Sequence, residues 1–211
     1  MLGLRHPLGR VPQPWRHLID WAVTISVASV FVLAFEAEVA KPYRIPSASM
    51  ERGLNCAMPG DGCLGSTDDR VLVLRLAYVF GSPQREQIVV FTAPASASRC
   101  AAGDGGTTFV KRLVGLPGET VREDKRGFIW IREPDSSTWT KLDDWYVDSA
   151  YRRADTEYFG ETWHVPEGDY FMMGDNRSGS CDSRKWGAVP RANLIGPVVL
   201  RYWPLDRIGF P

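Results

Sequence analysis

The sequence predicts a mainly β protein, an antiparallel sheet or barrel-like domain that follows a single N-terminal transmembrane helix. Three observations favour this fold class. Short runs that alternate apolar and polar residues, or that are briefly all apolar, recur after residue 41. No stretch in that part of the chain keeps a helical period for long. One uncharged apolar run stands apart near the N-terminus.

The uncharged run covers residues 21–35 and reads WAVTISVASVFVLAF. As a helix it is about 22 Å long, shorter than the roughly 30 Å hydrocarbon core of a bilayer. Extending it to 18–40 gives the missing length and adds charges only near its ends. We therefore predict a transmembrane anchor at 18–40 behind a cytoplasmic tail at 1–17. A cleaved secretory signal is the main alternative, but cuts after Ala37 or Ala40 lack a small residue two places earlier.

The orientation of residues 41–211 is predicted from the cysteines, because basic residues flank the span almost equally on both sides. The chain has 4 cysteines, all after the span, and none of them forms a CxxC pair. His164 is the only histidine on their side, which disfavours a zinc site. An even number of cysteines suits an oxidising, extracytoplasmic compartment. Among three possible connectivities we predict a Cys56–Cys63 disulfide, with free thiols as the alternative.

The rest of the chain is predicted to consist mainly of strands. The candidate segments, in order, are DRVLVLRL (69–76), QIVVF (87–91), TFVKRLVG (108–115), GFIWIRE (127–133), DYFMMGD (169–175) and PVVLRYWP (197–204). The span 119–166 is rich in charge and tryptophan, and we predict that it is a small inserted β subdomain. A length of 211 residues fits one domain with a real core. The 25 basic and 25 acidic residues balance, so composition gives no support for a nucleic-acid partner.

Two segments raise the possibility of nucleophilic chemistry. YRIPSASMERGL (43–54) places Ser47 and Ser49 just after the hydrophobic segment, as either an ordinary polar turn or a nucleophile with its oxyanion donor. In TFVKRLVG, strand alternation puts Lys111 on the same face as Phe109 and Leu113. Burial there lowers the pKa of a lysine, and a neutral lysine can take a serine proton. The alternative is a solvent-facing strand from which Lys111 simply reaches water.

A third polar segment, MMGDNRSGSCDSRKWG (172–187), follows an apolar strand. A calcium loop of the EF-hand type is excluded because its glycine and terminal glutamate are absent. A corner held by ion pairs between its aspartates and arginines is the structural alternative to a functional loop.

Together these segments resemble the conserved boxes of type I signal peptidases, the Ser-Lys leader peptidases of bacterial membranes. The similar stretches are PSASM (46–50), KRLVGLPGE (111–119) and GDNRSGSCDSR (174–184), with weaker likeness in EQIVVF (86–91) and YWPLDRIG (202–209). The resemblance implies a membrane-bound serine endopeptidase that removes signal peptides from exported preproteins and cuts after small residues. Its partners would be secretory preproteins and the lipid bilayer, and it would need no metal or cofactor.

The resemblance also implies a role for each matching residue. Ser49 would be the nucleophile and Lys111 the general base, while Ser47 would supply a hydroxyl to the oxyanion hole and Ser180 would orient the lysine. Four charged residues would brace the loop that carries Ser180: Asp175, Arg177, Asp182 and Arg184. Shallow apolar substrate pockets would be formed by Ile45, Pro46, Met50, Leu54, Phe109, Val110 and Met173.

The sequence departs from the family pattern in three places. Glu51–Leu54 differs from the usual residues after the methionine, and Ser178–Gly179 replaces the usual pair in the third box. Cys181 stands next to Ser180, where it could be a free thiol or be joined to Cys100. A self-cleaving repressor is disfavoured because the N-terminal region is an apolar run instead of a DNA-binding motif. A processing peptidase of an organelle's inner membrane and an anchored, non-catalytic binding or scaffold protein on the same fold are the remaining alternatives.

Overall fold

The structure, a computed structural model, describes residues 13–98, 100 and 108–211, and the chain divides between Val39 and Ala40 into two compact units. Helix α1 (Gln13–Glu38) belongs to the first unit and carries many exposed apolar side chains along its middle. Within the described ranges, no helix is both long and apolar enough to cross a membrane. The span predicted at 18–40 is therefore not shown by the structure, and most of the predicted tail at 1–17 lies outside the described residues.

The second unit contains two antiparallel sheets and a few short helical segments, which confirms the prediction of a mainly β, antiparallel fold. Its strands are β1 (Ala40–Arg44), β2 (Arg70–Leu74), β3 (Ile88–Thr92), β4 (Thr108–Gly115), β5 (Thr120–Glu123), β6 (Ile129–Arg132), β7 (Thr140–Lys141), β8 (Thr162–His164), β9 (Asp169–Met173), β10 (Val189–Pro190) and β11 (Leu194–Trp203). Its helices are α2 (Ala77–Phe80), α3 (Ser149–Ala154) and α4 (Ser183–Trp186).

The larger sheet has seven strands in the order β1-β2-β11-β3-β4-β9-β10. Its central strands are apolar on both faces, so each face can be covered by a core. On one face Ile88 and Val90 of β3 pack with Val71 and Val73 of β2. On the other face the β3 residues Val89 and Phe91 pack with Leu113 of β4 and with neighbouring apolar side chains. Strand β4 therefore has no solvent-facing side along its second half.

The smaller sheet has four strands in the order β7-β6-β5-β8, all drawn from within the segment 119–166. A third apolar cluster joins it to the larger sheet and includes Phe171 and Val121. Gly115 ends β4 where these layers meet, and a side-chain carbon there would lie 2.7 Å from Val121 and 2.8 Å from Phe171. Only glycine allows this close approach without displacement of the core.

Both pairs of cysteines are joined. The Cys56–Cys63 disulfide, with Cα atoms 5.1 Å apart, confirms the predicted pairing. A second disulfide joins Cys100 to Cys181, with Cα atoms 6.0 Å apart, so Cys181 is not the free thiol that the sequence had left possible. The first bridge closes a loop between β1 and β2, and the second joins the segment before β4 to the loop that follows β9.

Candidate active site

Ser49 lies in a short 3₁₀ turn, Ala48–Met50, that follows β1. Its side chain is 8% exposed, and its Oγ accepts a hydrogen bond of 2.6 Å from Lys111 Nζ. The hydroxyl of Ser47 lies 3.3 Å from the hydroxyl of Ser49. The structure thus brings together a serine and a lysine that are 62 residues apart in the sequence.

Lys111 lies on β4 opposite Val89 of β3 and is 5% exposed. Its neighbours on the same strand face, Phe109 and Leu113, belong to one apolar cluster, as strand alternation predicts. The ammonium lies 5.7 Å from the centre of the Phe109 ring. The solvent-facing alternative for Lys111 is therefore wrong, because packing covers both faces of the sheet.

The surroundings of Lys111 favour its neutral form. Burial lowers the pKa of Lys111 to about 8, although the carboxylates of Asp182 and Asp175 act in the opposite direction and favour the charged amine. Burial has this effect because removing an ammonium from water disfavours the charged state. A lysine in this range is neutral often enough near neutral pH to accept a proton from a serine.

Asn176 holds the turn that carries Ser49, a role that was not assigned from the sequence. Its backbone N–H donates to the carbonyl of Ser49 at 3.1 Å, and its side-chain Nδ2 donates to the carbonyl of Ala48 at 3.1 Å. Both bonds fix the backbone of the residues that flank the reactive hydroxyl. Asn176 belongs to the GDNR motif of the third box. A single asparagine forms no periodic pattern, so its hydrogen-bond partners could not be predicted from the sequence.

Ser180 is brought beside this turn by the end of β9. It is 5% exposed, and its Oγ makes no hydrogen bond of normal geometry within the described part of the chain. A side-chain carbon on Gly174 would collide with the Ser180 hydroxyl and with the carbonyl of Ser49. Gly174 therefore lets the two serines approach each other. The predicted hydrogen bond between Ser180 and Lys111 is not formed in this structure.

Buried ion pairs brace the loop that carries Ser180. Arg112 donates to both carboxylate oxygens of Asp175, at 2.8 and 2.6 Å. Arg184 donates to both oxygens of Asp182, at 2.8 and 2.9 Å. The second of these carboxylates also accepts from the backbone N–H of Gly174 at 3.0 Å. Burial would raise the pKa of Asp182, but the Arg184 guanidinium and the backbone N–H of Gly174 outweigh it, so the pKa is lowered.

The remaining arginine of the predicted bracing set, Arg177, lies 3.5 Å from Asp144 in an ion pair. Arg184 also contacts Asp155 and Glu123, which belong to the segment of the smaller sheet. The arginines were predicted from the sequence, but these acidic partners were not. They lie about 30 to 60 residues away along the chain, so no local sequence pattern predicts these ion pairs.

A cavity of about 600 Å³ opens beside Ser49 and Lys111. Its lining consists of residues 43–50 and 108–111 with Asp61, Cys100, Gly179 and Cys181. Five of the predicted pocket residues line this cavity: Ile45, Pro46, Met50, Phe109 and Val110. The other two, Leu54 and Met173, do not. They are fully buried in separate apolar clusters of the core, so their prediction as pocket walls is wrong.

The segment Glu51–Leu54, which departs from the family pattern, is held to the loop that follows it. The carboxylate of Glu51 is buried and accepts from the backbone N–H groups of Cys56 at 3.0 Å and Leu64 at 3.3 Å. Glu51 thus attaches the loop closed by the Cys56–Cys63 bridge to the residues directly after the nucleophilic turn. Apart from the position of an acidic residue next to Met50, no sequence feature predicts this role.

A buried serine hydroxyl that accepts a hydrogen bond from a lysine of lowered pKa, beside a cavity with apolar walls, has the chemistry of a serine hydrolase. Comparison with known proteins identifies the family within this class of enzymes. The chain matches the family of signal peptidase, peptidase S26, over residues 18–203.

Two relatives by sequence agree with this match. A signal peptidase I of Leptolyngbya laminosa is 32% identical over 203 residues, which cover 96% of this chain and 88% of that protein. A probable signal peptidase I-1 of Synechocystis is 32% identical over 199 residues, 94% of this chain and 89% of that protein. A crystal structure of a signal peptidase I from Enterococcus faecalis aligns with 56% of this chain and 97% of its own at 33% identity, with a TM-score of 0.41. The chain belongs to the signal peptidase family and is a serine endopeptidase.

Proposed function

We propose that this protein removes N-terminal signal peptides from exported preproteins through an acyl-enzyme formed on Ser49, with Lys111 as the general base. The observation that carries the proposal is the hydrogen bond of 2.6 Å between Lys111 Nζ and Ser49 Oγ inside a buried site. The lowered pKa of Lys111, about 8, supports the same assignment because the base must be neutral when the substrate arrives.

The reaction then follows in two halves. Lys111 takes the proton of the Ser49 hydroxyl while Oγ attacks the carbonyl carbon of the scissile bond. The tetrahedral intermediate collapses, the new N-terminus of the mature protein leaves with the proton from Lys111, and the signal peptide remains esterified to Ser49. Lys111 next takes a proton from water, which attacks the ester carbonyl. The bond between Ser49 Oγ and the acyl carbon then breaks, Lys111 returns the proton to Oγ, and the signal peptide leaves with a free carboxyl group.

The negative charge on the intermediate needs fixed donors close to its oxygen. We assign this role to the hydroxyl of Ser47 and the backbone N–H of Ser49. The distance of 3.3 Å between the two hydroxyls supports this assignment, since it places the Ser47 hydroxyl beside the reacting atom. Asn176 supports it as well, because its two bonds to the turn keep the Ser49 backbone in place.

Ser180 is the proposed positioning residue for Lys111. Its buried hydroxyl has no other partner of normal geometry in the described ranges, and it lies close to Gly174, as the carbonyl of Ser49 does. Once Ser49 is esterified, Lys111 loses its present hydrogen-bond partner. We assign to the Ser180 hydroxyl the role of holding the amine for the attack by water.

The cavity supports a substrate that lies extended along residues 43–47 and 108–110, two segments that contribute to its lining. A peptide placed there could add main-chain hydrogen bonds to an open strand edge. Residues before the cut would point toward Ile45, Phe109 and Val110, and the proposed preference is for small side chains at the first and third positions.

We also propose that the protein acts at the cell membrane, attached by α1, with residues 41–211 outside the cytoplasm and residues 1–17 inside. Support comes from the exposed apolar side chains of the helix, since Trp21, Val27 and Phe31 are each more than 60% exposed. Extraction of membranes with high salt and then with sodium carbonate at pH 11 tests the attachment. A protein released by salt alone would contradict an anchored helix.

The test of the proposed function is cleavage of a secretory preprotein by the purified protein, with the product identified by mass. Wild type, Ser49→Ala and Lys111→Ala are compared, with Lys185→Ala as a control for removal of an exposed lysine away from the cavity. We expect one cut after a small residue in wild type and control, and none in the two site variants. A folded wild type that cuts no preprotein would favour the non-catalytic binding protein on the same fold.

A further inference from the structure

Asp61 is the one acidic residue among the described residues that line the cavity beside Ser49. It is exposed, and within the described ranges its carboxylate takes part in no ion pair or hydrogen bond. Two basic residues share the lining: Arg44 is already paired, since its Nε lies 2.5 Å from the carboxylate of Asp68, and Lys111 is buried with its Nζ on the Ser49 hydroxyl. The cavity therefore presents one unpaired negative charge to whatever enters it.

The loop that carries Asp61 is held in place from three sides. The Cys56–Cys63 disulfide closes the loop, and the buried Glu51 carboxylate accepts from backbone N–H groups at both of its ends. At Gly62, an added side-chain carbon would lie 3.0 Å from the Cβ of Ala48, the residue directly before Ser49. Asp61 is thus a positioned group beside the nucleophilic turn.

We propose that Asp61 is a specificity-determining residue that favours substrates with a lysine or arginine within about three residues of the scissile bond. The inference rests on the proposed function, because it takes the cavity as the substrate site. The distance limit follows from the contact of the Asp61 loop with Ala48, since an extended peptide advances only about 3.3 Å per residue. A basic side chain within that range can lie against the carboxylate while its carbonyl reaches Ser49.

The size of the effect follows from the exposure of Asp61. An ion pair in contact with water changes kcat/KM by a factor of about three to five, and added salt weakens it. A carboxylate facing an acidic substrate residue acts in the opposite direction by a similar factor. The ratio of kcat/KM for otherwise identical lysine and glutamate peptides is therefore expected to reach about tenfold at low ionic strength.

The experiment uses a set of peptides that carry lysine, glutamine or glutamate at each of the three positions before and after the cut. Each enzyme is described by its own lysine-to-glutamate ratio, so loss of overall activity in a variant does not affect the comparison. The enzymes are wild type, Asp61→Asn, Asp61→Lys and the control Asp143→Asn, which removes an exposed aspartate outside the cavity lining.

At one or more positions we expect wild type and Asp143→Asn to prefer lysine, Asp61→Asn to show a ratio near one, and Asp61→Lys to prefer glutamate. The wild-type preference for lysine should shrink in about 0.5 M salt, because salt at that concentration screens an exposed ion pair. A wild type that cuts the glutamine peptides with no charge preference, or a preference that survives in Asp61→Asn, would overturn this inference and leave the proposed function standing. A wild type that cuts none of the peptides would overturn both.

Discussion

Raising the pH from 7 to 9 is expected to increase kcat/KM about tenfold, because Lys111 acts only in its neutral form. Burial lowers the pKa of Lys111 to about 8. A group with that pKa is about one-tenth neutral at pH 7 and about nine-tenths neutral at pH 9. The value of kcat/KM rises with pH because a general base must be unprotonated to act. Protonation of Lys111 at low pH removes activity, and kcat/KM levels off above about pH 9.

The assay is the initial rate of peptide cleavage at a substrate concentration far below KM, since kcat/KM reports the ionisation of the free enzyme. Circular dichroism at each pH shows that the protein stays folded. A rate that still rises tenfold per pH unit at pH 9.5 would mean that Lys111 keeps its ordinary pKa of 10.5. A rate that is flat between pH 7 and 9 would mean that another group is the base.

Three further predictions concern the support of the site. Gly174→Ala should lower kcat/KM by more than about tenfold, because the new methyl group would push apart the Ser49 carbonyl and Ser180; unchanged kinetics would contradict that packing. Arg112→Met should lower the free energy of unfolding in urea by about 3–5 kcal/mol, since it leaves the buried Asp175 carboxylate without its partner, and Asp175→Asn in the same chain should recover part of the loss. Mass spectrometry after alkylation of the unfolded, unreduced protein should find no free thiol, because all four cysteines are paired; one or more alkylated cysteines would contradict the two bridges.

The strands and the reactive pair were accessible from the sequence because each depends on local pattern. Alternation in TFVKRLVG is sufficient to place Lys111 with Phe109 and Leu113 on one face of β4. The burial of that face could not be predicted, since it depends on core residues supplied by β3, β9 and β10, which are far apart in the sequence. Resemblance to a family, and not periodicity, singled out Ser49 among the serines.

What the sequence could not predict is mainly long-range pairing. Asn176 contacts Ala48 across 128 residues, and the acidic partners of Arg184 come from a different sheet. Leu54 was predicted among the apolar pocket residues that the resemblance implies, but the chain turns after Met50 and buries it in the core. Short sequence separation does not decide which side of a turn a side chain occupies.

The central claim, that Ser49 is acylated with the help of Lys111, is tested most directly by trapping the acyl-enzyme. The protein is mixed with an excess of a peptide ester that ends in alanine, quenched in acid during turnover, digested and analysed by mass spectrometry. The account predicts an added peptidyl mass on the fragment that contains Ser49, and no such mass in Ser49→Ala or Lys111→Ala. Turnover of the ester with the added mass on another residue, or with equal labelling of Lys111→Ala, would contradict it.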